Sequence, residues 1–195
     1  MASSASTTLI LFTIIIPFLI LRLVTSNFDL LKSTKGFLLG LLFIIGIYFY
    51  ATGNGIHELS SFNFNQFCNV TNFQGSLCGS FFINDYYTGN ILYFLGAALT
   101  IIPLLLFQKI NPTKSFTKVQ LAILLINSLV YAFTIFAYAG LDRVIVGLVY
   151  SSIIALTTLA FFLSIRRDFR RYPVITYNAF AYILGTIAAL LVRFH

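Results

Sequence analysis

The fold of this protein is decided by stretches such as residues 36–56, GFLLGLLFIIGIYFYATGNGI, which contain no charged side chain. About 20 apolar residues in one helix span the hydrocarbon core of a bilayer, so this stretch predicts a transmembrane helix. Five further apolar stretches are visible in the chain. The six predicted crossings are residues 7–24, 36–56, 88–107, 119–139, 144–164 and 174–192. The predicted fold is therefore all-α, a bundle of six transmembrane helices in a single domain over residues 1–195.

The composition excludes an ordinary water-soluble domain. Hydrophobic residues make up 59% of the chain and charged residues only 9%, whereas soluble domains carry about 25% charged residues. The formal net charge of +7 does not predict nucleic-acid binding, because the basic residues are divided among three short connections and form no continuous basic groove. Membrane lipids are the expected partners, and the protein is expected to be integral to a membrane.

The basic residues predict how the chain is threaded. Lys and Arg beside short loops are retained in the cytoplasm, and here they concentrate in alternate connections. This places the first, third and fifth connections in the cytoplasm and both termini on the outer side. Of the twelve basic residues, ten lie in or beside these connections: Arg22, Lys32, Lys35, Lys109, Lys114, Lys118, Arg166, Arg167, Arg170 and Arg171.

The longest connection, residues 57–87, is predicted to be an outer loop because it contains no Lys or Arg. It also holds the two cysteines of the chain, Cys68 and Cys78. An oxidising compartment would favour a disulfide between them. Asn69 begins the sequence Asn-Val-Thr, which is a glycosylation acceptor if the host modifies that face.

Helix packing is predicted from short turns and small residues. The turn AGLDR at 139–143 is tight, which predicts that helices 119–139 and 144–164 are antiparallel neighbours. Small residues in the second, third and sixth helices would let helix backbones approach closely.

Tyrosines fall mostly near the predicted helix ends, where an aromatic ring with a polar tip suits the membrane interface. These tyrosines are Tyr48, Tyr50, Tyr86, Tyr87, Tyr131, Tyr138, Tyr150, Tyr172 and Tyr177.

A set of polar residues is predicted to share the outer membrane boundary. His57 and Glu58 follow the second helix, Asp85 precedes the third, and Asp142 lies in the turn between the fourth and fifth. One His with two or three carboxylates could hold zinc or another divalent ion. Without a metal, His57 could act as a general base that Asp85 orients.

The same residues also have a purely structural interpretation. Asp85 would cap the N-terminus of the third helix, where a carboxylate satisfies free N–H groups and suits the helix dipole. Asp142 would pair with Arg143 or cap the following helix, while His57 and Glu58 would end the second helix in water. The two interpretations separate on whether His57, Asp85 and a further ligand converge.

The positions of His57 and Asp85 resemble the layout of the CREST-type membrane hydrolases, which include alkaline ceramidases and adiponectin-receptor-like proteins. The resemblance covers about residues 36–107. It implies seven helices, a zinc ion that His57 helps to bind, and an Asp85 that assists the metal-bound water. Gly53 stands one turn before His57 where that family has a Ser. The last helix offers only His195 in place of the family's paired histidines.

Two functions follow as expectations. The leading one is a non-enzymatic multi-pass membrane protein that binds a lipid or small apolar ligand between its helices. The alternative is a metal-assisted hydrolase of lipid amides or esters at the outer membrane face, with zinc as the expected cofactor. A transporter ranks last, because the polar residues inside the predicted helices are few and uncharged. They are Asn127, Ser128, Thr134, Ser151, Ser152, Thr157, Thr158 and Asn178.

Overall fold

The computed structural model describes residues 4–68, 76–142 and 144–194, and within these ranges the protein is helical and contains no strand. Six helical rods run along the chain, and the third of them is α3 and α4 joined through a π-helical turn at Asn84–Gly89. The helices are α1 Ser4–Val24, α2 Thr34–Phe67, α3 Ser76–Ile83, α4 Asn90–Ile110, α5 Lys118–Phe136, α6 Ile145–Ile165 and α7 Pro173–Phe194. Judged on the described residues alone, five of the rods are long and apolar enough to cross a membrane.

Local sequence signals explain where several helices begin. The side chain of Ser33 accepts a hydrogen bond from the backbone N–H of Gly36 and so caps α2. Thr117 and Gln120 form a capping box at the start of α5, in which each side chain satisfies a backbone donor. Pro173 is the first residue of α7, a position where its missing N–H costs nothing.

The segment 57–87, expected to be a loop, is mostly a helical hairpin. α2 continues to Phe67, and the chain is helical again from Ser76. The rods Thr34–Phe67 and Leu77–Ile110 have 34 residues each, about 51 Å at a rise of about 1.5 Å per residue. The helices extend beyond their apolar parts because packing between the two rods stabilises polar turns that hydrophobicity alone does not predict.

The expected disulfide joins the two rods near the tip of this hairpin. Cys68 and Cys78 are bonded, with their Cα atoms 5.7 Å apart. The rings of Phe64 and Phe82 lie 6.2 Å apart just below it. The disulfide prediction is thus confirmed, while Asn69, the glycosylation candidate, lies outside the described residues.

α2 and α4 pack backbone against backbone through four glycines. A Cβ atom at Gly53 would fall on the backbone nitrogen of Tyr93, and one at Gly96 on that of Tyr50. Gly46 and Gly89 lie at the same interface, seven residues from Gly53 and Gly96 respectively. Such small residues permit the close helix contacts typical of membrane proteins, so this expectation is confirmed.

The expectation that 119–139 and 144–164 pack as neighbours is wrong, because α7 lies between them. α7 packs extensively on both α5 and α6, whereas α5 and α6 have no extensive contact with each other over their described residues. A Cβ atom at Gly185 of α7 would lie 2.6 Å from the carbonyl oxygen of Ala132. The small residue Gly185 therefore allows α7 to pack closely on α5, and α7 takes the place beside α5 that was expected for α6.

The first, third and fifth connections meet at one end of the bundle, hereafter the basic end (residues 25–33, 111–117 and 166–172). The Asn111 side chain donates a hydrogen bond to the carbonyl of Val24, and Arg170 donates one to the carbonyl of Phe116. Asp29 forms an ion pair of 2.8 Å with Lys32 and raises the pKa of that lysine. The alternate connections in which the basic residues concentrate therefore lie together at one end of the bundle.

Candidate functional site

The structure brings His57 and Asp85 together, although they are far apart in sequence. The Nδ1 atom of His57 lies 2.7 Å from Oδ1 of Asp85 and 3.2 Å from the Asp85 backbone oxygen. The Asp85 side chain is 14% exposed and the His57 side chain 42% exposed. Contrary to the expectation that they stand at helix ends, His57 lies within α2 and Asp85 within the π-helical turn.

The glycine contacts between the two rods set this distance. Gly53 precedes His57 by one turn of α2, and Gly89 follows Asp85 by one turn of the other rod. A Cβ atom at Gly89 would lie 2.9 Å from the backbone nitrogen of His57, so the two backbones cross directly beside the pair. The glycine that stands where a CREST-type Ser is expected therefore has a packing role.

A backbone carbonyl of the π-helical turn takes part in the site. The side-chain amide of Asn90 donates hydrogen bonds to the carbonyls of Asp85 and Tyr86, and the His57 ring also contacts the Asp85 carbonyl. Single π-helical turns of this kind occur frequently at functional sites. Here the turn orients Asp85 with both its carbonyl and its carboxylate towards the imidazole.

The pair has the geometry of a histidine oriented by a carboxylate. With Nδ1 occupied by Asp85, the imidazole leaves Nε2 as the nitrogen able to accept a proton or to bind a metal. This arrangement can act as a general base, and the exposure of His57 gives it access to solvent or substrate.

The other predicted metal ligands do not complete a cluster in the described structure. Glu58 is exposed beside His57, and Asp142 lies exposed at the end of the π-helical turn Ala137–Leu141. Among the described residues, no three His, Cys, Asp or Glu side chains lie close enough to hold one ion. A catalytic zinc takes three protein ligands, so zinc binding stays a prediction that the described residues do not support. His195 and Arg143 lie outside them.

A second candidate site is a cleft of about 770 Å³ among five of the rods, hereafter the interhelical cleft. It extends from Pro173 at the basic end to Tyr50 and Tyr131 farther along the bundle. Its walls are mostly aliphatic and aromatic. The lining residues are Ile16, Pro17, Ile20, Ile47, Tyr50, Ala97, Thr100, Ile101, Leu104, Leu124, Asn127, Tyr131, Pro173, Val174, Tyr177 and Asn178.

This cleft has the character of a site for an apolar molecule. Ligand cavities measure about 300–1,000 Å³, are lined mainly by apolar side chains and contain a few polar groups that orient the ligand. Among the described residues no charged side chain lines the interhelical cleft, and the polar groups there are hydroxyls and amides. The sequence signal that could have located it is the pair of asparagines, Asn127 and Asn178, inside predicted apolar helices.

The expectation that the tyrosines lie mostly at the membrane interface is wrong for those at the centre of the bundle. Tyr50 and Tyr93 stack with their ring centroids 4.4 Å apart. The hydroxyls of Tyr150 and Tyr182 lie 2.6 Å apart and are buried. Tyr131 packs edge-on against Tyr182. Buried tyrosines need hydrogen-bond partners, and neighbouring phenols supply them here, which sequence position alone does not reveal.

Comparison of the chain with protein-family models, with curated proteins and with solved structures gives no match. The resemblance to CREST-type hydrolases accordingly stays a prediction, based on the positions of His57 and Asp85.

Proposed function

We propose that this protein is an integral membrane protein that binds a lipid or another small apolar molecule in the interhelical cleft. The observation that carries the proposal is the cleft itself, with a volume of about 770 Å³ and no charged side chain among the described residues that line it. A membrane supplies such molecules at high local concentration, and the cleft would bury an apolar body among aliphatic and aromatic walls.

The exposed surface supports a position within a membrane. Large apolar side chains are exposed on all seven helices; Leu23, Ile44 and Leu156, for example, are 72%, 64% and 69% exposed. Soluble monomers rarely expose continuous apolar patches of more than a few hundred Å². In a bilayer the same side chains would contact lipid tails without cost.

The positive-inside rule supports one orientation. The basic end would face the cytoplasm, and the hairpin 57–87 and both termini would face the other side. Expression with eukaryotic microsomes tests this orientation through Asn69. We expect a gain in mass that Asn69→Gln abolishes. If neither Asn69 nor an acceptor tag fused to the C-terminus is modified, the proposed orientation is wrong.

Filling the interhelical cleft tests ligand binding. Leu124 lines the cleft, whereas Ile126, two residues further along α5, is 61% exposed and does not line it. In membranes that contain a fatty-acyl probe with a diazirine in its chain, we expect light-induced labelling of peptides that line the cleft. Leu124→Trp should reduce this labelling at least about fivefold, and Ile126→Trp should leave it unchanged. Equal labelling of the two variants would contradict the proposal.

The contact between His57 and Asp85 favours a second candidate function, hydrolysis of a lipid amide or ester at the hairpin end of the bundle. His57 would remove a proton from an attacking water while Asp85 holds the ring. Metal content and hydrolysis by the purified protein test this function together. Stoichiometric zinc that is lost in His57→Ala would support the metal-assisted form. If the wild-type protein hydrolyses neither lipid amides nor lipid esters, this second candidate function is wrong.

A further inference from the structure

Two asparagines place unpaired acceptor oxygens in the wall of the interhelical cleft. Asn127 lies at the middle of α5 and Asn178 in the first half of α7. Each side-chain amide donates a hydrogen bond to the carbonyl four residues earlier in its own helix, at 2.9 Å to Ile123 and 2.8 Å to Val174. With the amide nitrogen so used, each Oδ1 atom is left without a hydrogen-bond partner among the described residues.

Unpaired acceptors are costly in this environment. In an apolar medium a polar group without a hydrogen bond loses its interaction with water and gains nothing in return. Polar groups inside a transmembrane region are therefore candidates for function. Asn178 is only 8% exposed, and Asn127 is exposed at the centre of an apolar helix. A ligand that brings a donor to these oxygens would remove the cost.

A further polar group of the cleft indicates which chemical group of the ligand supplies the donor. The hydroxyl of Tyr177 also lacks a hydrogen-bond partner in the described part of the chain and can donate as well as accept. A hydroxyl group on the ligand matches this set, because it donates to an asparagine oxygen and accepts from the phenol.

Charged head groups match the cleft poorly. An ionised phosphate or carboxylate has no proton to donate to the asparagine oxygens, and no Lys or Arg of the described part of the chain lines the cleft to neutralise it. An ammonium group could donate, but the described lining contains no carboxylate, so its charge would be buried unpaired at high cost.

The inference rests on the proposed binding function. We infer that the ligand is an uncharged lipid with a free hydroxyl head group, which donates its one proton to the Oδ1 atom of Asn127 or of Asn178. The apolar body of the lipid occupies the aliphatic part of the cleft. The asparagines select the head group, and the aliphatic walls hold the chain without regard to it.

A head-group series with one common chain tests this inference on the full-length protein in membranes. The probes carry the same diazirine-labelled 16-carbon chain and end in an alcohol, a carboxylate, a primary ammonium or a phosphocholine group. The readout is labelling of cleft-lining peptides at equal probe concentration in the bilayer. We expect the alcohol to label about fivefold or more above each charged probe, the ratio that one hydrogen bond commonly supplies.

Variants then assign the selection to the asparagines. The double variant Asn127→Leu/Asn178→Leu, which keeps the side-chain size and removes both acceptors, should lower labelling by the alcohol about three- to tenfold without changing labelling by the charged probes. Thr134→Val is the matched control. It also removes a polar group that bonds its own helix, but Thr134 does not line the cleft, so labelling should not change.

The outcomes separate the two proposals. Equal labelling by all four probes, or preference for a charged head group, overturns the lipid-alcohol inference on the wild-type protein alone, whatever the asparagine variants do. It leaves binding in the cleft intact, provided that Leu124→Trp still reduces labelling. Absence of cleft labelling by every probe overturns the proposed function and this inference together.

Discussion

The backbone contact between α2 and α4 yields the sharpest prediction, the substitution Gly96→Ala. In the structure a Cβ atom at this position would fall on the backbone nitrogen of Tyr50 and lie 2.6 Å from the carbonyl oxygen of Gly46. These neighbours are backbone atoms of a helix, so they cannot rotate away as a flexible side chain would. The two rods would have to move apart.

The expected cost follows from the size of that movement. Atoms in ordinary contact lie at about 3.5–4.0 Å, so the rods must separate by about 1 Å, which forfeits up to half of the dispersion energy at each contact. Overpacking of this kind costs typically about 1–3 kcal/mol. Alanine returns up to about 1 kcal/mol through its higher helix propensity. We expect Gly96→Ala to lower the free energy of unfolding by about 1 kcal/mol.

Gly55 provides a matched control on α2. No atom lies within 4 Å of a Cβ atom built there, so Gly55→Ala should only gain helix propensity, up to about 1 kcal/mol. The measurement is reversible unfolding in mixed micelles of increasing SDS fraction, followed by circular dichroism. A difference of about 2 kcal/mol between the two variants is expected, because the gain in helix propensity is common to both and only the overpacking cost remains. Stabilities within about 0.5 kcal/mol of each other, the range of ordinary surface substitutions, would refute the close backbone contact.

Three further predictions concern the hairpin and α7. A double-mutant cycle with His57→Ala and Asp85→Asn should give a coupling free energy of about 1 kcal/mol for unfolding, and additive effects would show that the 2.7 Å contact contributes nothing to stability. Replacing both Cys68 and Cys78 by serine should lower the free energy of unfolding by about 2–4 kcal/mol. Reduction of the wild-type protein should cause the same loss, and a wild-type stability that reductant leaves unchanged would contradict this prediction. Gly185→Ala should destabilise by about 1 kcal/mol, because the overpacking cost of its Cβ atom against the carbonyl of Ala132 exceeds the gain in helix propensity. Stability equal to that of Gly55→Ala would argue against close packing of α7 on α5.

The candidate site shows where sequence reasoning succeeds. His57 and Asp85 flank adjacent predicted helices, and antiparallel threading alone brings the ends of such helices to the same depth. The actual contact at 2.7 Å depends on more than threading. It requires the rotation of each rod, which the glycine contacts set, and the π-helical turn that directs Asp85 towards the ring. Neither property can be read from one helix in isolation.

The interhelical cleft shows where sequence reasoning fails. Asn127 and Asn178 are visible in the sequence as polar residues in apolar helices. They line the same cleft only because α7, and not α6, packs on α5. The turn at 139–143 suggested the opposite, because short connections usually join neighbours. Close packing at Gly185 prevailed over chain proximity.

The sequence by itself determined the helical class, the order of the apolar rods, the alternation of basic connections and the disulfide, because apolar length, charge and cysteine spacing are local properties of the chain. Only the tertiary structure decided that α2 runs on to Phe67, that α7 separates α5 from α6, and that Tyr150 and Tyr182 face inward. These features arise from complementary surfaces on segments far apart in sequence. Their packing energy can extend a helix past its apolar part and can choose its neighbour, and no single segment contains that information.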